Sequence, residues 1–216
     1  LAAYSNAGDT IQTIQQALKA LAAARGDQIK LRGIGITGSA RYQAREALTH
    51  IYPELDGRVQ VLVENYAHAR GSIDIARRHI ERLKTEGVAN VNEALCILVD
   101  IGGEDTKVST LALKEAELFN NAMNLKCSAG TGSLMDTLAA MFGLTDVAAA
   151  CAEACAAPKA HRINATCAVF LMENARKLQA RGVDRAEILA SANWAIVENM
   201  ARSLWPQVDL PPKSVV

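Results

Sequence analysis

Leu95-Cys96-Ile97-Leu98-Val99-Asp100-Ile101-Gly102-Gly103-Glu104-Asp105-Thr106-Lys107 is the stretch on which the reading of this chain turns. Its first five residues are a continuous apolar run, the pattern of a strand buried on both faces. The strand delivers an acid, Asp100, to a turn holding two glycines and two further acids. Glycine has no Cβ, so backbone N–H groups at such a turn can approach an anion closely. Asp100 and Asp105 are candidates to hold Mg²⁺ through water, and Glu104 to orient or deprotonate an attacking water. A polar hairpin turn that merely contains acids has the same composition, and short glycine motifs are common by chance.

Working outward, 107–113 and 117–123 read as two arms of a hairpin around Lys114-Glu115-Ala116. Upstream, Asp9 is placed to cap a helix whose apolar positions Ile11, Ile14, Leu18 and Leu21 recur with a period near 3.6. Short strands are expected over 31–36 and 59–63, with helices over 41–49 and 72–84. Downstream the chain reads as mostly helical. One helix follows Gly130-Thr131-Gly132 and closes at Gly143, and an Ala-rich one carries Cys151 and Cys155. Another runs from Thr166 or Cys167 to about Gln179, and the last starts at an Asp184 cap and ends before Pro206. Strands alternating with helices argue for an α/β fold.

Bulk properties narrow the function. The chain has 216 residues with 23 Lys+Arg against 23 Asp+Glu, a formal net charge of zero. That balance argues against a nucleic-acid partner, since phosphate affinity needs clustered Lys and Arg. No apolar run reaches the length of a membrane span. Five cysteines are an odd number in a chain too large to need disulfide staples. A reducing compartment is expected, hence a cytoplasmic location, with thiols kept for packing, metal or redox work. The chain opens on Leu1, and Lys213-Ser214-Val215-Val216 enters a β-branched run, so the sequence is read as incomplete at both ends.

Two further segments carry chemistry. Lys126-Cys127-Ser128-Ala129-Gly130-Thr131-Gly132-Ser133 sets glycine and hydroxyl residues before a helix, a second cradle for phosphate. Asn164-Ala165-Thr166-Cys167 again brings a cysteine to a helix start, where the positive helix end favours a thiolate or an anionic cluster. The other cysteines have plainer readings. Cys96 lies inside the apolar strand, and Cys151 with Cys155 suits close helix packing as well as a shared metal. His50, His68, His79 and His161 are scattered, and a lone histidine is rarely a ligand.

Together these segments resemble the activators of 2-hydroxyacyl-CoA dehydratases and the ATPase subunits of benzoyl-CoA reductase, the BadF/BadG/BcrA/BcrD-type ATPases. Thr37-Gly38-Ser39-Ala40-Arg41 is similar to that family's Thr-Gly-x-x-Arg turn. Glu64-Asn65-Tyr66-Ala67-His68-Ala69-Arg70-Gly71 resembles its Glu-x-x-Ala-His-Ala-x-Gly segment. The resemblance implies an actin/hexokinase-like ATPase fold with ribonuclease H-like lobes. The first lobe would span 1–100, lacking its N-terminal phosphate hairpin. The second would span 101–216 and carry the phosphate loop and the cluster cysteines.

Mg-ATP is then implied at Asp100, Gly102, Gly103 and Lys107, and at Ser128, Gly130, Thr131 and Gly132, with Glu104 and Asp105 as catalytic residues. Cys127 and Cys167 fall on the family's two cluster cysteines. Such clusters take four thiolates, so two per chain imply one 4Fe-4S cluster shared by a homodimer. The implied activity is ATP hydrolysis coupled to transfer of a low-potential electron to an iron–sulfur acyl-CoA dehydratase or reductase. Two residues depart from the family pattern: Glu104 stands where Gln is frequent, and Ser133 where Arg is common. A kinase on the same fold and a non-catalytic regulatory lobe are the alternatives. The first would need an acid to deprotonate a hydroxyl and would have no use for paired cysteines.

Overall fold

The computed structural model describes residues 2–4, 8–28, 32–103, 105–124, 132–163 and 167–209. They fall into two compact units, 1–71 and 72–216. The expected boundary at 100 and 101 would cut a strand that is paired along its whole length, and strand pairing is what makes a unit cohesive.

The first unit is a small βαβ arrangement behind a leading helix. Helix α1 (Thr10–Arg25) starts where Asp9 accepts a hydrogen bond from the Gln12 N–H at 2.9 Å. Strand β1 (Ile34–Ile36) pairs in parallel with β2 (Val59–Val61), and α2 (Arg41–Ile51) makes the crossover. Ala44, Leu48 and Val59 are buried, so the core of this unit is small. Helix α3 (Glu64–Thr85) begins in the first unit and continues into the second. It starts eight residues earlier than its apolar periodicity indicates (64 against 72) because its first two turns are polar and alanine-rich. Alanine and glutamate form helix readily without an apolar stripe.

The second unit joins a sheet to a helical bundle. Strands β3 (Leu95–Ile101), β4 (Thr106–Ala112) and β5 (Glu117–Met123) form an antiparallel sheet in that order. The strand expected to be buried on both faces, β3, is only partly so. The central strand β4 is buried at all seven positions, including its polar residues Thr106, Lys107, Ser109 and Thr110. Thr110 meets the resulting need for a partner by donating to the Asp209 carbonyl at 2.9 Å.

Four helices follow: α4 (Gly132–Met141), α5 (Val147–Ala156), α6 (Ala168–Ala180) and α7 (Arg185–Ser203). Their apolar stripes meet in a core where Leu138, Leu171, Ile188 and Leu189 are completely buried. Truncating any of these to Ala would cost roughly 2–5 kcal/mol. The end of α7 reaches the sheet, where Met200 and Leu204 pack with Ile97, Val108 and Ala122.

Candidate functional site

The Asp100–Lys107 segment is a β-hairpin turn. The register of β3 on β4 pairs Asp100 with Lys107 and Ile101 with Thr106, so both side chains of the first pair leave the sheet on one face. The Gly102 N–H donates to the Asp105 carbonyl at 2.8 Å and closes the turn. A Cβ at Gly102 would sit 2.9 Å from Asp105 Oδ1, which explains the glycine by close approach rather than by an unusual backbone angle. Asn124 fixes the opposite side: its carboxamide oxygen accepts from the Thr106 N–H at 2.7 Å, and its own N–H donates to the Thr106 carbonyl at 3.1 Å.

Lys107 lies beneath the turn. Its ammonium is 2.8 Å from Asp105 Oδ1 and 3.7 Å from Asp100 Oδ2, with only 5% of its side chain exposed. The two carboxylates are more open, 22% exposed for Asp100 and 38% for Asp105. The lysine, implied by the resemblance as a nucleotide ligand, is paired here with the two acids, whose carboxylates are the more exposed part of the group. Carboxylates held in this way offer oxygen ligands to a hard divalent cation.

Helix α4 abuts the turn directly. The Gly132 N–H donates to the Gly102 carbonyl at 2.7 Å, and the Ser133 N–H to the Gly103 carbonyl at 3.1 Å. Two of the four N–H groups that a helix start leaves open are thereby used by the turn. A Cβ at Gly132 would lie 3.1 Å from the Gly102 oxygen, a tighter contact than most side chains make, so a larger residue would press on this seam. The turn and the start of α4 are thus bonded to each other. Glu104, Cys127, Ser128, Gly130 and Thr131 lie outside the described residues.

Cys167 is the N-cap residue of α6, in extended conformation (φ −147°, ψ 163°), and half-buried. Asp146 and Asp184 cap α5 and α7 through carboxylates that accept from the Ala149 and Ala186 N–H groups, both at 2.8 Å. The Cys167 side chain makes no capping hydrogen bond. A thiol at a helix start that takes no part in capping suits a metal-ligand role, so its chemistry fits one position of a thiolate-bound cluster. Ser133, Leu134 and Thr137 of α4 and Ala168, Val169 and Met172 of α6 line one open cavity of about 550 Å³. The helix that follows the Cys127 loop and the helix that follows Cys167 therefore open onto the same space.

Cys96 is buried in β3, and burial pushes its thiol pKa up. Cys155 is exposed and Cys151 half-buried, and among the described residues no third metal-type side chain joins them. In the first unit, Thr37 donates to the Leu62 carbonyl at 3.1 Å, and Arg41 donates to the Gly38 carbonyl at 3.0 Å while its guanidinium lies 4.8 Å from the Tyr42 ring. Sequence reasoning missed Asn124 and the engagement of His161 with Glu187 at 2.8 Å. Nothing local to either position announces its partner, 18 and 26 residues away.

The family model for BadF/BadG/BcrA/BcrD ATPases matches residues 2–208. The chain belongs to this family. The (R)-2-hydroxyglutaryl-CoA dehydratase activating ATPase of Acidaminococcus fermentans is 27% identical over 173 residues, 78% of this chain and 64% of that protein. Among solved structures, the activator of the 2-hydroxyisocaproyl-CoA dehydratase from Clostridium difficile with bound ADPNP aligns with a TM-score of 0.65 and 22% identity. It covers 88% of this chain and 61% of its own. Component A of the Acidaminococcus fermentans (R)-2-hydroxyglutaryl-CoA dehydratase aligns with a TM-score of 0.61 and 22% identity, covering 93% of this chain and 65% of its own. The fold is the actin/hexokinase-like fold of the family's activator ATPases. The chain spans under two thirds of the length of each of these relatives. Among the described residues no helix is long and apolar enough to cross a membrane.

Proposed function

We propose that this chain supplies a phosphate-binding turn and two cluster thiolates to an ATP-driven iron–sulfur electron-transfer activator. Its partner would be an iron–sulfur acyl-CoA dehydratase or reductase component. One observation carries the reading. The turn holding Asp100 and Asp105 is hydrogen-bonded to the first two residues of α4, the helix that follows the Cys127 loop. A change in charge at the turn would therefore bear on the helix next to a cluster cysteine without any intervening linker.

In this reading Asp100 and Asp105 bind and orient Mg-ATP through the cation, and Lys107 keeps the two carboxylates close together while the site is empty of metal. Glu104, between the glycines and Asp105, orients the attacking water or takes its proton. Cys127 and Cys167, with their counterparts across a homodimer two-fold, would hold a 4Fe-4S cluster, which supplies a one-electron donor of low potential. The relatives support this direction: one is a dehydratase activating ATPase, and another, the activator of a dehydratase, was solved with bound ADPNP.

The test is Asp105→Ala in full-length protein purified anaerobically. Mg-ATP hydrolysis should be lost while iron, sulfide and visible absorbance are kept; retained hydrolysis would count decisively against the assignment. A non-catalytic lobe of the same fold is the second reading. It is favoured by the engagement of the Gly102 N–H and the Lys107 ammonium within the turn itself. Absence of Mg-dependent nucleotide binding to the full-length protein would decide for it.

A further inference from the structure

Segment 157–163, upstream of Cys167, is anchored to α7 at two points. After α5 the chain crosses 157–163 without regular structure. His161 is held there through both its main chain and its side chain. Its backbone N–H donates to Ser191 Oγ at 2.7 Å, and that hydroxyl donates to the Glu187 carbonyl at 2.6 Å. Its Nε2 lies 2.8 Å from Glu187 Oε2. An ionised carboxylate only accepts, so Nε2 carries the proton in this pair. Ser191 is completely buried and the Glu187 side chain is 14% exposed, so the anchor is shielded from water on the α7 side. Lys159 Nζ, 3.8 Å from the same Glu187 oxygen, adds a second cation to that carboxylate.

The arrangement exceeds what loop closure needs. Glu187 lies in the first turn of α7 and Ser191 one turn later, so the two partners stand on one helix face at the spacing that meets a single residue twice. Hydrogen bonds shielded from water hold geometry more firmly than exposed ones. The anchored residue stands six positions before Cys167, whose side chain makes no bond that would fix it through capping. We propose that His161, Glu187 and Ser191 form a clamp that positions Cys167, with His161 as the positioning residue. The clamp sets how far the thiol is presented at the head of α6. Its consequence for the cluster rests on the electron-transfer reading given above.

The experiment has two arms on the full-length protein. The first needs no cluster: the metal-free protein is treated with iodoacetamide, and site-resolved mass spectrometry follows Cys167 with Cys155 as internal reference. In His161→Ala, alkylation of Cys167 should rise about fivefold, the size expected when a shielded hydrogen bond is removed from a local opening equilibrium. Cys155 should be unchanged. His161→Gln keeps an N–H donor of similar reach and should return the rate towards wild type, while Ser191→Ala, which removes the main-chain anchor, should raise it. An unchanged Cys167 rate in His161→Ala would overturn the proposal, as would an equal rise at Cys155, which would place the effect in the whole fold.

The second arm reconstitutes the protein with iron and sulfide under anaerobic conditions. His161→Ala should keep its iron and sulfide content but alter the electron paramagnetic resonance line shape of the reduced protein, and His161→Gln should restore it. A wild-type protein that takes up no cluster sinks the electron-transfer reading, and the alkylation arm still judges the clamp.

Discussion

Replacing Lys107 by Met isolates the charge arrangement beneath the turn, because Met keeps the length of the side chain and removes only the ammonium. In the folded chain the ammonium stands 2.8 Å from Asp105 and 3.7 Å from Asp100, and the lysine side chain is 5% exposed. Taking one partner from a fully buried ion pair costs about 3–5 kcal/mol. Here the lysine is buried but the carboxylates are 22% and 38% exposed, so water takes up part of the lost interaction. We expect a cost of about 2 kcal/mol, from discounting the buried-pair figure by roughly half for that screening. For a folding unit of this size that is a fall in melting temperature of about 4–8 °C. The assay is thermal unfolding of wild type, Lys107→Met, Asp105→Asn and the double variant. If the pair is responsible, the double variant should be less destabilised than the sum of the singles by at least about 1 kcal/mol. A loss below about 0.5 kcal/mol, the size of an ordinary surface substitution, would refute the reasoning. So would strict additivity.

Gly132→Ala sets a Cβ 3.1 Å from the Gly102 carbonyl against the gain in helix propensity. The gain is at most about 1 kcal/mol and smaller at a first helical residue. The strained seam and its two hydrogen bonds should cost about 1–3 kcal/mol, so net destabilisation and faster amide exchange at Ser133 are expected. Slower exchange there would show that the seam had been misjudged. Cys96 gives an alkaline signature. Burial raises its thiol above the ordinary value of 9.0, so above that pH the unfolded chain ionises before the folded chain does, and stability falls as pH rises. Cys96→Ala should flatten that part of the stability profile. Lys84, whose pKa is raised from 10.5 by Glu93 and Glu81, acts in the same direction: its contribution is present at neutral pH and is lost as pH rises through its folded value, so Lys84→Met should lower neutral stability slightly and flatten the most alkaline part of the profile. Urea titrations across about pH 7 to 11, a range that spans the ordinary thiol and ammonium values, would read both. An unaltered slope in Cys96→Ala would remove the thiol from the account.

The sequence by itself determined the local elements and the family. The helix starting at Asp9, the hairpin arms on either side of 114–116, the end of α4 before Gly143 and the Asp184 cap of α7 were all legible. Each is decided by residues within a turn or two, through apolar period, capping oxygen or turn glycine. The family was legible because its motifs are short continuous strings, and the match over residues 2–208 agrees.

What only the tertiary structure decided involves partners far apart in the chain. Gly132 is fixed by the carbonyl of Gly102, and His161 by Glu187 and Ser191. Lys107 was implied as a nucleotide ligand by its place in the family's phosphate-binding turn. The fold buries β4 and sets the Lys107 ammonium beside two acids of its own hairpin. The same packing made β4, with its threonines and serine, the central strand, while the more apolar β3 stayed partly open. Apolar pattern reports how much surface a strand can lose to water, but which strand loses it depends on what the rest of the chain lays on top.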